Sequence, residues 1–308
     1  MNDITPRVDF AFKKLFGTEE NKDLLISLIN SIVSEKDQVV SLEIKNPYNF
    51  AKFRNDKESI LDIKAKDSEG KYFNVEMQVG IEVNFDKRSL YYWSNLVSSQ
   101  LARGDIYDKI TKTICINILA YNIITNSDDY HNEYKILNTK TGKDDGLHGV
   151  LEIHYIELRK FKKEFNELTN SLDRWITFLN KADRLNKNKL PKELASDTKI
   201  VKALTSVELM FNDDEREIYE NRLKFHTTIL SSFVSSNKLN REEGREEGRE
   251  EGREEGREEG IIIGEEKGRE KGRKEERINI ARGLVKVMTV SEIHKLTGLS
   301  LEEIEALL

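Results

Sequence analysis

Cysteine is almost missing. Cys115 is the only one in 308 residues, so no intrachain disulfide is possible. It sits in the apolar run ITKTICINILAY, where a buried, inert thiol is expected. No stretch approaches 18 apolar residues, so no membrane span is expected. The start, MNDITPRVDF, carries Asp3 and lacks an apolar h-region, so a secretory signal is not expected and a cytoplasmic location is. The five histidines, at 131, 148, 154, 226 and 294, form neither HxxxH nor HxH. There is no CxxC, P-loop, GxGxxG or GxSxG. A zinc site or a serine or cysteine hydrolase would need residues the sequence does not offer. Excess positive charge is also lacking. The net charge is −6, and 241–277 holds 11 basic and 15 acidic residues. Any nucleic-acid contact must therefore use a local basic patch.

What is present supports a folded part of roughly 235 residues, enough for a sizeable core. DFAFKKLFGTEENKDLLISLINSIV reads as two helices split near Gly17 and Thr18. VVSLEIKNPYN is a strand ended by Pro47. ESILDIKAKD and KYFNVEMQVG are strands joined through Ser68, Glu69 and Gly70, which suits a tight turn with a positive-φ glycine. NFDKRSLYYWSNLVSSQLARG predicts a helix of about five turns closed by Gly104. ITKTICINILAYN is a buried strand, and DYHNEYKILNT and GVLEIHYIEL are two more. From Phe161 to Lys238 the pattern is helical, with Leu168, Leu172, Trp175, Ile176 and Leu179 on one stripe.

Residues 241–260 are five consecutive copies of REEG. One glycine per turn costs about 1 kcal/mol each relative to alanine. Two readings stay open: an extended solvated linker, or a helix whose glycines let chains approach closely in an oligomer. The end regains apolar residues. Ser291 and Ser300 are natural N-caps, Ser300 with Glu303 makes a capping box, and Thr297-Gly298 separates two short helices. This has a helix-turn-helix outline, but the last helix lacks the residues that read base edges, so an interaction or capping module is expected.

The stretch ILDIKAKDSEGKYFNVEMQV at 60–79 is the chemically informative one. With the turn centred on Glu69, opposed residues sum to 138. Asp62 then faces Glu76, Lys64 faces Asn74, and Gln78 follows Glu76 on the same face. Leu61, Ile63, Ala65, Val75, Met77 and Val79 make the core face. Two opposed carboxylates destabilise a sheet unless a cation lies between them or both face water. A divalent cation would favour both ionised forms. Mg²⁺ prefers one or two carboxylates plus water and phosphate. On spacing alone, a metal site and a solvated face damped by Lys64 are both open.

DFAFKKLFG, then LDIKAKDSEGKYFNVEMQ, then FDKRSLYYWSNLVSSQLARGDIYDKITKTICINIL, with the charged tail and TGLSLEEIEALL, resemble the Rpn family of recombination-promoting nucleases, transposase-like proteins of the PD-(D/E)XK superfamily. The resemblance spans nearly the whole chain. It implies an α/β fold with a PD-(D/E)XK restriction-endonuclease-like core, a mixed sheet flanked by helices. It implies a Mg²⁺-dependent endodeoxyribonuclease, with Mn²⁺ as a substitute, DNA as partner, and a link to recombination or transposon-like biology. Asp62 and Glu76 would be the catalytic metal ligands, with the Met77 carbonyl facing the metal between them. Gln78 stands where most of the superfamily has lysine. Glutamine can orient water but supplies no cation, so weak or accessory-dependent activity follows, with Lys64 a conceivable substitute. Arg88 and Tyr92, four apart on a helix, would hold substrate, or are a surface cation on an aromatic ring. Asp9, an N-cap, and Gln100 would be accessory.

The expected organisation is a nuclease-like domain over 1–158, a helical extension over 159–240, the repeat over 241–277 and a helix-turn-helix-like module over 278–308. A homo-oligomer through the C-terminal segment is expected, and no membrane partner. Two alternatives stand: a nuclease-fold interaction protein with weak or no catalysis, and an RNase.

Overall fold

The computed structural model describes residues 4–46, 62–144 and 149–308, and mainly the backbone of the helix between 229 and 262. Asp3, Pro47, Leu61 and His148 lie outside the described residues. The chain divides into two units, Met1–Ser232 and Phe233–Leu308.

The first unit opens with α1 (Asp9–Phe16) and α2 (Lys22–Ile32). Then come β1 (Leu42–Ile44), β2 (Ile63–Asp67), β3 (Tyr72–Gln78), α3 (Phe85–Ser98), β4 (Thr113–Leu119), β5 (His131–Lys135) and β6 (Leu151–Glu157). The described strands form one sheet in the order β1-β2-β3-β4-β6-β5. The hairpins β1/β2 and β2/β3 and the edge pair β5/β6 are antiparallel, while β3/β4 and β4/β6 are parallel. The parallel step from β3 to β4 needs a crossover, which α3 supplies.

The β2–β3 turn has an identifiable cause. The Asp67 carboxylate accepts the Glu69 and Lys71 amides at 3.0 and 2.8 Å. Gly70 takes φ +93°, a conformation a side chain would disfavour. The resulting ladder pairs Ile63 with Val75 and Lys64 with Asn74, the register expected from the turn.

Apolar residues on one face of the sheet, including Ile63, Ala65, Phe73, Val75, Ile114, Ile116 and Ile118, pack with α1, α2, α4 (Ser171–Lys181), α5 (Lys192–Ala195) and α6 (Thr198–Glu208). Trp175 is fully buried there and meets Phe16 and Phe178 edge-on. The helical stripe expected beyond Phe161 is thus a core face. On the other side of the sheet Phe85 packs with Cys115, Leu119, Tyr121, Ile153 and Tyr155. Cys115 is buried, and burial pushes its thiol pKa up.

One helix boundary differs from expectation, and one open reading is decided. α3 stops at Ser98, not at Gly104, because Ser99 to Leu101 turn tightly with amides bonding to Asn95, Val97 and Ser98 carbonyls. Gly104, at φ +93°, serves the following turn. α7 runs Asp213–Leu284 without a break, so the repeat is helical and not extended.

The second unit contains the end of α7, α8 (Val290–Thr297) and α9 (Leu301–Glu305) around Ala281, Ile293, Leu299 and Ile304. Ser300 caps α9 with Glu303 as expected. The cap of α8 is Thr289 with Glu292, not Ser291, which lies inside the helix. Gly298 closes α8 in the left-handed conformation at φ +68°.

Candidate active site

The β2–β3 ladder ends at Ile63–Val75, and Asp62, just ahead of it, lies close enough for its charge to act on Glu76. Strand alternation puts Asp62, Lys64, Asn74, Glu76 and Gln78 on one face, the face covered by α3. Glu76 is 5% exposed. Its Oε1 lies 3.5 Å from Arg88 Nη2, while Oε2 is buried with no hydrogen-bond partner among the described residues. Burial raises the Glu76 pKa to about 7; Arg88 opposes this, and Asp62 and Glu82 reinforce it. The carboxylate is therefore desolvated, and Arg88 offsets that cost only in part. Both polar atoms of the Asn74 carboxamide, 1% exposed two residues earlier, are likewise without partners among the described residues.

Asp62 keeps its carboxylate 3.7 Å from the Lys64 ammonium. Gln78 donates Nε2 to the Gly80 carbonyl at 3.2 Å. Arg88 donates Nε to the Tyr92 hydroxyl at 2.6 Å, stacks over that ring with Cζ 5.0 Å from its centroid, and binds Glu82 through Nη1. Burial works against the Arg88 charge, but Glu76, Tyr92 and Glu82 outweigh it and its pKa is raised. Asn117, level with Glu76 on β4, donates to Ser89 at 2.8 Å and so anchors α3 beside Arg88. Asp62, Glu76, Arg88 and Tyr92 are thus gathered into one electrostatic group.

Two candidates are elsewhere. Gln100 lies beyond α3, and its amide is spent on Thr111 and Thr113 at the start of β4. Thr113 pairs with Tyr72, four residues before Glu76. Asp9 is the first residue of α1, whose N-cap is Val8. Its carboxylate accepts Arg222 Nη1 at 2.9 Å and stands 3.6 Å from His226, both on α7. Burial opposes ionisation of Asp9, but His226, Arg222 and the Phe10 amide hold its pKa down. These contacts tie α1 to the root of α7.

Sequence reasoning missed Lys13. Its side chain, 5% exposed, donates Nζ to the Asp62 carbonyl at 2.6 Å and the Asn46 carbonyl at 2.7 Å. Burial brings the ammonium pKa down to about 8, with Asp62 resisting and Lys64 assisting. Its only signal was a charged residue amid the apolar face of DFAFKKLF.

A second polar cluster was also missed. Glu133, Glu152 and His154 offer ligand atoms within 4.8 Å of one another. His154 lies 2.9 Å from both His131 and Glu152. Lys112 and Lys135 stand 2.7 and 3.4 Å from Glu152. Burial opposes its ionisation, but His154 and Lys112 bring its pKa to about 2. Burial lowers His131 to about 4. The i,i+2 pairs HNE and EIH were the available signal. Glu152 and His154 align with Ile114 and Ile116, whereas Glu76 aligns with Asn117. The cluster thus faces the opposite side of the sheet from Glu76, and lysines already neutralise it.

A mixed sheet with an antiparallel β2–β3 hairpin, a crossover helix and a parallel β4, flanked by helices on both faces, is a PD-(D/E)XK core. The family model for the PD-(D/E)XK nuclease family transposase matches residues 6–231, and the chain belongs to this family. No curated protein matches the chain, and no solved structure does. No helix among the described residues is long and apolar enough to cross a membrane.

Proposed function

We propose that this chain is a divalent-metal-dependent endodeoxyribonuclease that hydrolyses phosphodiester bonds in DNA. The observation that carries this reading is the buried Glu76 carboxylate, with an oxygen that has no partner among the described residues, within reach of the Asp62 charge. Evolution of a stable sheet alone would replace such a group with an apolar one. A carboxylate pair with a desolvated, unsatisfied oxygen fits a hard cation. Asp62 and Glu76 would hold Mg²⁺, with Mn²⁺ able to substitute. Bound there, the cation would supply charge neutralisation and lower the pKa of water.

The chain's own groups do the rest. Gln78 spends Nε2 on Gly80, leaving Oε1 to accept a hydrogen bond from the attacking water and aim it. Arg88, oriented by Tyr92 and Glu82, is the cation nearest Glu76 among the described residues and would move to a nonbridging phosphate oxygen. Lacking the superfamily's usual lysine, Gln78 lends no positive charge to the transition state, so turnover should be slow.

The recombination or transposon-like role, the cytoplasmic location and the four-part organisation belong to the same reading. Oligomerisation through the tail does too. Glycine every fourth residue advances about 40° per repeat on a helix, so partners following that line would wind about each other right-handedly.

A non-catalytic interaction protein is favoured by one observation: Arg88 already partly neutralises Glu76. An RNase shares the same metal chemistry. Supercoiled plasmid and a matched RNA, with Mg²⁺ or Mn²⁺, discriminate the readings. Wild type should convert plasmid, and Asp62→Ala and Glu76→Ala should each lose at least a hundredfold. Equal activity in all three rejects the site. Cleavage of RNA alone favours the RNase, and no activity in any favours the interaction protein.

A further inference from the structure

Lys13 is buried at a cost, because an ammonium loses hydration there. Among the described residues it makes no ion pair with a carboxylate; both of its hydrogen bonds go to main-chain carbonyls, of Asp62 at 2.6 Å and Asn46 at 2.7 Å. Those carbonyls stand at the two ends of the connection from β1 to β2. Asn46 doubles the tie. Its Nδ2 donates to the same Asp62 carbonyl at 3.0 Å, and its Oδ1 accepts the Lys64 amide at 2.7 Å. The Lys45 amide adds a bond to the Lys64 carbonyl at 2.7 Å. Asp62 precedes β2, so its own strand bonds do not orient it. The peptide following it is oriented by α1 and Asn46 instead.

Room for this arrangement is built into the end of α1. A Cβ on Gly17 would lie 2.5 Å from the Lys13 carbonyl oxygen and 3.1 Å from its Cδ. Glycine there leaves the Lys13 stem its path.

We infer that Lys13 is a positioning residue of the metal site: it fixes the backbone of Asp62 so that the carboxylate presents itself opposite Glu76. This rests on the reading of Asp62 and Glu76 as metal ligands. It concerns the geometry of one ligand and not the charge of the site, since Lys13 is spent on the carbonyl behind that ligand. Removing a group that orients a ligand lowers metal affinity about 10- to 100-fold.

The test is Mn²⁺ binding by the full chain, followed by calorimetry and by the electron paramagnetic signal of free Mn²⁺. The variants are Lys13→Met, Lys13→Arg, Asp62→Asn and the double variant Lys13→Met/Asp62→Asn, with circular dichroism melts as the folding control. Lys13→Met should bind at least tenfold more weakly, and Lys13→Arg, which keeps donors, should recover part of the loss. In the Asp62→Asn background the Lys13 change should have no further effect. A general structural defect would lower affinity equally in both backgrounds and would overturn the inference. So would unchanged Mn²⁺ affinity in Lys13→Met. If Lys13→Met does not fold, Asn46→Ala, which removes the second donor, carries the same cycle. Failure of wild type to bind Mn²⁺ would overturn the inference together with the metal reading, and that failure is visible in the wild-type arm alone.

Discussion

Replacing Glu76 with glutamine should stabilise the metal-free protein, and the gain should grow with pH. Glu76 is 5% exposed, and its pKa stands at about 7 against an ordinary 4.5. Its folded form therefore holds a proton that the unfolded chain has already lost between those values. The sign follows from linkage: a carboxyl raised on folding costs nothing below about pH 4.5, costs more as pH rises, and costs its full amount above about 7. At about 1.4 kcal/mol per pKa unit, the full penalty is about 3–4 kcal/mol. Glutamine removes it. Arg88 loses a 3.5 Å partner but keeps Glu82 and Tyr92, so little is returned. A net gain of about 2–3 kcal/mol above pH 8 should raise the melting temperature by roughly 4–12 °C for a unit of this size. Thermal and urea unfolding with chelator at pH 4.5 and 8.5 measure it. Added Mg²⁺ should reverse the order, stabilising wild type and leaving Glu76→Gln unmoved. A gain of equal size at both pH values, or destabilisation at both, would refute the claim that a desolvated charge is what Glu76 costs.

On the opposite face the sign is reversed. Glu152 is fully buried, with Lys112 and Lys135 at 2.7 and 3.4 Å. Glu152→Gln takes one carboxylate from each lysine, while Lys112 keeps Asp37 and Lys135 keeps Glu133, and should cost about 2 kcal/mol at pH 7. Because its pKa is about 2, wild type should lose that advantage as pH falls from about 4.5 toward 2, which urea titrations at pH 7 and 3 would detect. In α7, a Cβ on Gly252, Gly256 or Gly260 would meet nothing within 4 Å. In the dissociated chain alanine at each should stabilise the helix by about 1 kcal/mol, read at low protein concentration as a higher melting point of the helical circular dichroism signal at 222 nm.

Much of the site's layout was local and therefore legible. The hairpin register followed from a short turn with one glycine, and period-two alternation then assigned Glu76, Gln78 and Asn74 to one face. The i,i+4 relation of Arg88 and Tyr92 followed from helix geometry, and the Ser300–Glu303 cap from four adjacent residues. The repeat was ambiguous because its glycines oppose helix formation while its Glu–Arg spacing supports it, and short-range energies of similar size leave both states open.

What the chain order alone could not decide involved groups distant in sequence. Asp9 meets Arg222 and His226 across more than two hundred residues. Gln100 turns to Thr111 and Thr113 because α3 ends early. The Glu133, Glu152 and His154 cluster exists only because β5 and β6 pair. Lys13 reads as one charge on an amphipathic helix until packing sets α1 behind Asp62. Local bonds and side-chain periodicity determine which face of an element a residue occupies; only long-range packing determines which other face it meets and how far it is desolvated. That desolvation makes Glu76 a group with a pKa of about 7 and Lys13 one with a pKa of about 8.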